Sequence, residues 1–351
     1  MRGRRGAPRA SIFIAFGLTS SMRKLLSDLK SLRGRTLVSF HSLADVDAVA
    51  SAYALTTLLP RAVIRAPDRP NSPARKLLQA LGREVPLLEE GELRDFDNCV
   101  LVDVSSAELL AGFGKQFQDF AKRRKLICVD HHLHSKKIKR AVHHSFPHRA
   151  SCSEIIYEIL CMSRKKVSDE AALALAAGIA ADTAVFSSAN SYTFSAFASL
   201  LKQLEQKKVT YAKVLEFANP APDVSYKLSV AKAMQRAKFY EVGKGRERIV
   251  IGVTQAHSFE LYCAIALLQA ADYAFAFNDR EGRMSGARSR HNTQGASVGK
   301  IMEAAGKAMH GNGGGHETVG GASGKPELAA KAAAECVRLA ALFHGGSAKQ
   351  V

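Results

Sequence analysis

Several residue types that mark particular classes of protein are scarce in this chain of 351 residues. It contains no tryptophan, and aromatic residues make up only 7% of it. No apolar run reaches the roughly 20 residues that a membrane-spanning helix needs, so no membrane association is expected. Hydrophobic residues still account for 47% of the chain. That share excludes a disordered protein and fits an alanine-rich α/β protein.

The six cysteines form no CxxC pair. Cys99 and Cys128 lie in apolar runs that are predicted to be buried strands. Reduced thiols in the core of a cytoplasmic protein are therefore a better interpretation than disulfides.

Acidic residues are the scarcer charge, with 32 Asp and Glu against 50 Lys and Arg, giving a formal net charge of +18. Such an excess favours polyanionic partners, although a generally basic surface is the plainer alternative.

The length and the order of patterns predict two domains. Apolar strands alternate with helical patterns over the first half, which indicates an α/β fold with a parallel sheet, and a smaller α/β domain follows. The proline-containing stretch from Phe217 is the best linker. The predicted boundaries are a basic N-terminal extension at 1–21, a larger first domain at 22–216, a linker and connecting helix at 217–240, and a C-terminal domain at 241–351.

The basic segment before Met22 superficially resembles a secretory signal, but its apolar part is short and no A-x-A site follows it. Because the segment lacks these features of a signal, we expect the protein to be cytoplasmic. An amphipathic helix is predicted to open at Met22, so we expect Met22 to be the natural start.

Individual helices and strands are also predicted. They are a helix at 72–81 capped by Ser72, a helix at 226–240, a strand at 248–254, a helix at 259–270, a hairpin of strands at 272–278 and 283–290, a helix at 297–309 and a last helix at 326–343. Between His131 and Arg149, histidines are mixed with Lys136, Lys137 and Lys139, which favours a solvated basic surface over a metal site formed by these histidines.

Histidines and aspartates follow the predicted strands at four places. The fragments are His41-Ser-Leu-Ala-Asp45-Val-Asp47, Asp103 after Cys-Val-Leu-Val, Asp130-His131-His132, and Asp182 after Gly-Ile-Ala-Ala. Ligands of open α/β sheets bind outside the carboxyl ends of the strands, so these side chains are expected in one crevice. Carboxylates crowded together repel unless cations lie between them, and oxygen with imidazole ligands suits manganese, magnesium or zinc. Taken singly, Asp45 or Asp47 would be read as a helix N-cap.

The order of these fragments resembles the DHH phosphoesterase superfamily. A later run, Gly311-Asn-Gly-Gly-Gly-His316, resembles the GGGH signature of the DHH-associated domain. Together the fragments span nearly the whole chain. The sequence departs from the family at Ala44, where many members have proline, and at Val319-Gly320, where many have two alanines. Neither position carries a ligand.

The resemblance implies a site for two divalent ions, with Mn²⁺ favoured and Mg²⁺ or Co²⁺ as alternatives. The implied metal ligands are His41, Asp45, Asp47, Asp103, His131 and Asp182, with Asp103 bridging both ions. Asp130 is expected to orient His131. His132 is expected to reach the scissile phosphate, so His132, Asp103 and Asp130 are the predicted catalytic residues.

The C-terminal domain is implied to bind substrate and to close over the metal site. Its glycine-rich loop would aim backbone amides at a phosphate. The candidate substrate-binding residues are Gly313, Gly314, Gly315, His316, Arg288 and Arg290, the arginines being suited to bidentate contact with phosphate.

The family members that the chain resembles most are compact two-domain oligoribonucleases of the nano-RNase type. We therefore predict hydrolysis of short oligonucleotides to nucleoside 5′-monophosphates. A RecJ-like exonuclease acting on longer single-stranded nucleic acid is the alternative that the basic charge favours. Cyclic dinucleotides or 3′-phosphoadenosine 5′-phosphate are further candidate substrates. A non-catalytic replication partner is disfavoured because every ligand-type position is present, and a homodimer is compatible with the sequence.

Overall fold

The computed structural model describes residues 19–104, 106–132, 137–221, 223–243, 248–289 and 295–351. The chain divides into two compact units, Met1–Ala221 and Pro222–Val351. We call them the N-terminal and C-terminal units and describe each by itself. Among the described residues, no helix has both the length and the hydrophobicity needed to cross a bilayer.

The N-terminal unit alternates strands and helices before ending in helices. In chain order its elements are α1 (Ser20–Lys30), β1 (Thr36–Ser39), α2 (Val46–Thr56), β2 (Ala62–Ile64), α3 (Ser72–Ala80), β3 (Asn98–Val102), α4 (Gly114–Arg123), β4 (Lys125–Asp130), β5 (Val142–Ser145), α5 (Cys152–Met162), α6 (Asp169–Asp182), α7 (Ser191–Glu205) and α8 (Tyr211–Ala218).

The five strands form one sheet in the order β2-β1-β3-β4-β5. Every pairing in it is parallel, which confirms the predicted fold class. Side chains alternate across the sheet, so Val100 and Val102 of β3 pack with α2, α5 and α6. Cys99 and Leu101 face the opposite way, against α4. Both faces are covered, so the C-terminal edge of the strands is where polar groups gather.

Two local predictions in this unit were wrong. The cap of α3 is Asn71, whose side chain accepts a hydrogen bond from the Ala74 N–H at 3.0 Å. The histidine-rich stretch contains an unpredicted strand, β5, in which His144 is buried and contacts the Asp28 carboxylate at 3.0 Å. Its sequence, Val-His-His-Ser, lacks the apolar pattern of an internal strand. The strand is specified instead by its pairing with β4 and by the hydrogen bond between His144 and Asp28. His134 and Lys136 lie outside the described residues.

The C-terminal unit is built around a mixed sheet. In chain order its elements are α9 (Val224–Arg236), β6 (Lys238–Val242), β7 (Ile249–Gln255), α10 (Glu260–Leu267), β8 (Tyr273–Asn278), β9 (Arg283–Arg288), α11 (Val298–Ala308), β10 (Asn312–Gly315), β11 (Val319–Ser323), α12 (Ala329–Phe343) and β12 (Lys349–Gln350). The strand order is β10-β11-β9-β8-β7-β6-β12. The predicted hairpin of β8 and β9 is confirmed by antiparallel pairing.

Two predictions for this unit were wrong. The helix expected to continue to 240 ends at Arg236, and the chain then forms β6, because Phe239 and Tyr240 favour a strand. The glycine-rich run is a strand, β10, paired with β11.

Close packing explains two of the three glycines in this strand, Gly313 and Gly315. A Cβ on Gly313 would lie 2.0 Å from the Met302 carbonyl oxygen, and one on Gly315 would lie 2.4 Å from the Gly320 Cα. Helix α11 and the neighbouring strand therefore leave no room for larger residues.

Candidate metal centre

Asp103 occupies the centre of the crevice at the carboxyl ends of β1, β3 and β4. It directly follows β3 and has a left-handed backbone with φ of 58°. Aspartate tolerates this region better than most residues, but the conformation remains costly and is typical of functional positions. The Asp103 N–H donates to the Val129 carbonyl at 2.8 Å, which fixes the turn against β4. The carboxylate is thereby held inside the crevice, with 5% of the residue exposed.

The predicted ligands come together around it. Among the described residues, three groups of potential ligand atoms lie within 4.8 Å of one another; they are His41, Asp45 and Asp103, then Asp103, His131 and His132, and finally Asp47, His131 and Asp182. Every residue predicted as a metal ligand thus belongs to at least one group, and Asp103 and His131 each belong to two.

The two histidines most enclosed by these groups have their rings oriented by backbone carbonyls. The His41 Nδ1–H points to the Ser42 carbonyl at 2.8 Å, and the His131 Nδ1 lies 3.3 Å from the Arg149 carbonyl. The Nε2 atoms face carboxylates instead, at 3.4 Å from Asp103 for His41 and 3.1 Å from Asp182 for His131. A nitrogen fixed in this way toward acidic oxygens is the usual arrangement of a histidine that binds a metal.

Asp45 and Asp47 have additional structural contacts. Asp45 is the N-cap of α2, accepting from the Ala48 N–H at 3.0 Å, so the capping interpretation is correct for it. Asp47 is fully buried, and its two oxygens accept from the amides of Cys152 and Ser153 at 2.7 and 2.8 Å. These amides begin α5, whose N-terminus stabilises negative charge. Each oxygen keeps a further lone pair, so these contacts and cation binding are compatible.

Asp130 orients a different ring from the one expected. Its Oδ1 accepts from the backbone N–H of His131 at 2.9 Å and lies 2.9 Å from the Nδ1 of His132. The side chain that it positions is therefore His132, while the Arg149 carbonyl positions His131. The His132 side chain is 48% exposed, so it faces the open side of the crevice.

Crowding of carboxylates shifts the pKa values throughout the crevice. Burial alone would lower the pKa of His41, but contact with Asp103 raises it to about 9. For His131 burial also acts downward, and Asp103 with Asp182 raises the pKa to about 11. Burial, reinforced by the charges of Asp182 and Asp103, holds the pKa of Asp47 well above its ordinary value. The field of the crevice therefore favours cations strongly.

Three buried atoms test whether the residues fit a metal ion. Asp103 Oδ1, His131 Nε2 and Asp182 Oδ2 are buried and make no hydrogen bond. Leaving buried polar atoms in this state is costly unless something else satisfies them. Carboxylate oxygens and an imidazole nitrogen facing one another are the donor set of Mn²⁺, Mg²⁺ or Zn²⁺, so the site fits a divalent cation.

The predicted substrate-binding residues of the C-terminal unit have mixed environments. His316 is exposed beside the end of β10, and Gly313, Gly314 and Gly315 lie within that edge strand. Arg288 ends β9 and is only 7% exposed. Arg290 lies outside the described residues.

Sequence patterns did not single out three features of the crevice. One is the Arg149 carbonyl, and another is the pair of amides at the start of α5. The third is Gly178, where a Cβ would lie 2.1 Å from Ser153 Oγ and 3.0 Å from Asp47 Oδ1. Only the last left a local signal, a glycine inside an otherwise alanine-rich helix.

Comparison with known proteins agrees with this geometry. The family described as "DHH family, N-terminal domain" matches residues 35–179. An uncharacterized protein from Methanocaldococcus jannaschii is 30% identical over 315 residues, which cover 85% of this chain and 89% of the relative. The chain belongs to the DHH family.

Solved structures show the same fold for this DHH protein. An exopolyphosphatase-related protein from Bacteroides fragilis superposes with a TM-score of 0.70 at 14% identity, over 93% of this chain and 98% of the other. RecJ from Thermus thermophilus in complex with Mn²⁺ gives a TM-score of 0.58 at 13% identity, over 92% of this chain and 55% of RecJ. Membership of the DHH phosphoesterase superfamily and the clusters of aspartate and histidine side chains together support a metal-dependent phosphoesterase.

Proposed function

We propose that this DHH protein hydrolyses short oligonucleotides to nucleoside 5′-monophosphates. The observation that carries the proposal is the convergence of Asp103, His131 and Asp182 with buried atoms that lack hydrogen bonds. Divalent ions held by such a set supply Lewis acidity and lower the pKa of a coordinated water. Two ions are proposed because the ligand groups share Asp103 and His131 without merging into one, and Mn²⁺ is the proposed metal.

The residues of the chain have different proposed roles in this reaction. His41, Asp45, Asp47, Asp103, His131 and Asp182 hold the cations. The contact with Asp130 raises the pKa of His132, which favours the protonated ring. An exposed, protonated His132 is suited to bind a phosphoryl oxygen as negative charge develops on it. In the C-terminal unit, exposed His316 is the proposed contact to the nucleotide.

A RecJ-like exonuclease acting on long single strands is the second candidate. The +18 net charge favours it, since each neutralised phosphate adds affinity for a polyanion. The two candidates differ in the length of the preferred substrate.

The test uses two aspartates of one helix. Helix α6 runs from Asp169 to Asp182, so its ends lie about 20 Å apart. With Mn²⁺ and a labelled dinucleotide, we expect Asp182→Asn to lose at least 100-fold in turnover and Asp169→Asn to stay within twofold of the native protein. Chromatography should identify nucleoside 5′-monophosphates as products, and EDTA should stop the reaction. Equal activity of the two variants, or no hydrolysis by the native protein, contradicts the proposal.

A further inference from the structure

Basic side chains line the edge at which the strands of the parallel sheet begin, opposite the metal centre. Arg61 immediately precedes β2, Arg35 precedes β1, and Arg124 precedes β4. Thr36 pairs with Ala62 and Asn98, and Asn98 pairs with Lys125. The strands therefore begin side by side, and the arginines that precede them lie along the same edge of the sheet. Because Val142 pairs with Ile127, Arg140 is level with Lys125. We call this row the basic edge.

Two hollows open along the basic edge. One has a volume of about 370 Å³ and is lined by Lys30, Arg33 and Arg61 together with uncharged residues. The other has a volume of about 530 Å³ and lies between α4 and the segment Glu92–Asp95. Its charged lining residues are Arg94, Lys122, Arg123, Arg124, Glu90 and Asp119. Cations therefore outnumber carboxylates in both hollows.

Three nearby carboxylates have partners within the protein. Asp119 pairs with Lys122 at 2.6 Å. Asp28 contacts Lys125 at 3.2 Å and the ring of His144 at 3.0 Å. Asp97 accepts from the backbone N–H of Arg35 at 2.8 Å. The excess of positive charge rests on the two hollows themselves, where lysines and arginines still outnumber carboxylates.

Helix ends explain only part of this charge. The C-termini of helices favour cations, and Lys30 lies in the last turn of α1, with Lys122 and Arg123 in the last turn of α4. Arg35 and Arg61 instead precede strands, where no helix end requires a cation. Arg35 lies over the Phe96 ring at 5.1 Å, whereas, among the described residues, neither a helix end nor a ring contact accounts for Arg61.

From this arrangement we infer that the basic edge binds the phosphodiester backbone of a polynucleotide, separately from the metal centre. Five strands spaced about 4.8 Å apart give the edge a width of about 19 Å, enough for several successive phosphates. A five-residue strand such as β3 is roughly 17 Å long. A nucleic acid at the basic edge therefore lies at the opposite end of the strands from Asp103. Binding here does not require hydrolysis and so goes beyond the proposed function.

The experiment measures binding of fluorescein-labelled 30-nucleotide oligo(dT) and oligo(rU) in EDTA, where metal-dependent hydrolysis cannot occur. The test variant combines Lys30→Gln, Arg61→Asn and Arg123→Gln, all at exposed positions. Arg61 has φ of 61°, a conformation that asparagine tolerates.

The control variant combines Lys166→Gln, Lys202→Gln and Lys208→Asn, which are also exposed and remove the same charge. Lys208 has φ of 63°, so the asparagine substitution is matched as well.

Each lost phosphate contact should reduce the salt slope by about 0.7 for single strands. We expect the test variant to bind on the order of 100-fold more weakly in 0.1 M salt, with a slope smaller by about 2, and the control to change less than threefold. Saturating 30-mer should leave dinucleotide hydrolysis by the native protein within twofold.

Equal losses in the two variants, or no loss in either, would overturn the inference. Loss of binding to anionic lipid vesicles by the test variant, with polynucleotide binding intact, would assign the surface to membranes instead and would also overturn it. Failure of the native protein to cleave dinucleotides leaves the binding result unaffected, so the two proposals fail separately.

Discussion

When metal is removed by EDTA, we expect protonated histidines to take the place of cations in the crevice. The pKa of His41 rises from 6.5 to about 9 and that of His131 to about 11, so in this pH range the folded chain binds more protons than the unfolded chain. The resulting stabilisation is complete below pH 6.5 and is lost as the pH rises through these values. In EDTA, the melting temperature should therefore fall between pH 6.5 and 9.

The control for this prediction is the double variant His41→Gln/His131→Gln, which shares every other titrating group. Its melting temperature should depend less steeply on pH than that of the native protein. Saturating Mn²⁺ should also flatten the native profile, because the cation replaces the bound protons. A native profile in EDTA that runs parallel to that of the double variant would show that the two rings are not held protonated.

Single residues were predictable where a local pattern was sufficient. A strand followed by aspartate is visible in the sequence, and the parallel arrangement of strands brings Asp103 and His131 together. Ring orientation was not predictable. His131 depends on a carbonyl 18 residues away, and Asp130 turns its carboxylate toward His132 instead. Such choices are made by tertiary contacts that a motif does not encode.

At the scale of elements, the approach of α6 to α2 and α5 depends on one glycine. A Cβ at Gly178 would lie 2.1 Å from Ser153 Oγ and 3.0 Å from Asp47 Oδ1. Alanine favours a helix by about 1 kcal/mol over glycine, but overpacking costs about 1–3 kcal/mol and displaces a candidate ligand. We expect Gly178→Ala to lower both the melting temperature and the affinity for Mn²⁺, measured by calorimetry.

Two comparisons make this prediction specific. Adding Ser153→Ala to Gly178→Ala removes the nearest atom and should recover more than half of the lost stability. Gly112→Ala should have little effect, because its Cβ would meet nothing within 4 Å. A Gly178→Ala protein with native stability and native Mn²⁺ affinity would show that the helices adjust without cost.

Elements whose identity depends on their neighbours were the ones that the sequence did not predict. Strand β5 carries two histidines and little apolar surface, and it is specified by β4 and by the contact of His144 with Asp28. The glycines of β10 suggested a loop because glycine has low strand propensity. Packing of α11 against Gly313 and of β11 against Gly315 demands glycine at these two positions and overrides that propensity.

At the scale of the whole molecule, the length of the substrate separates the two candidate functions. The metal centre and the basic edge lie at opposite ends of the strands of one sheet. On the binding mode that we propose, a polynucleotide would gain affinity along the edge without entering the crevice. Turnover at the crevice should then depend on the few nucleotides next to the scissile bond.

We therefore expect kcat/KM with Mn²⁺ to be highest on substrates of about two to five nucleotides and to fall on longer ones, measured on a ladder of labelled RNA and DNA. A groove that tracked the backbone into the crevice would instead gain with each added phosphate, and its turnover at low substrate would drop steeply with salt. Dinucleotide cleavage makes few phosphate contacts and should be nearly insensitive to salt. Processive digestion of a long strand at physiological salt, faster than dinucleotide cleavage, would favour the RecJ-like exonuclease. It would also require a path from the basic edge to Asp103.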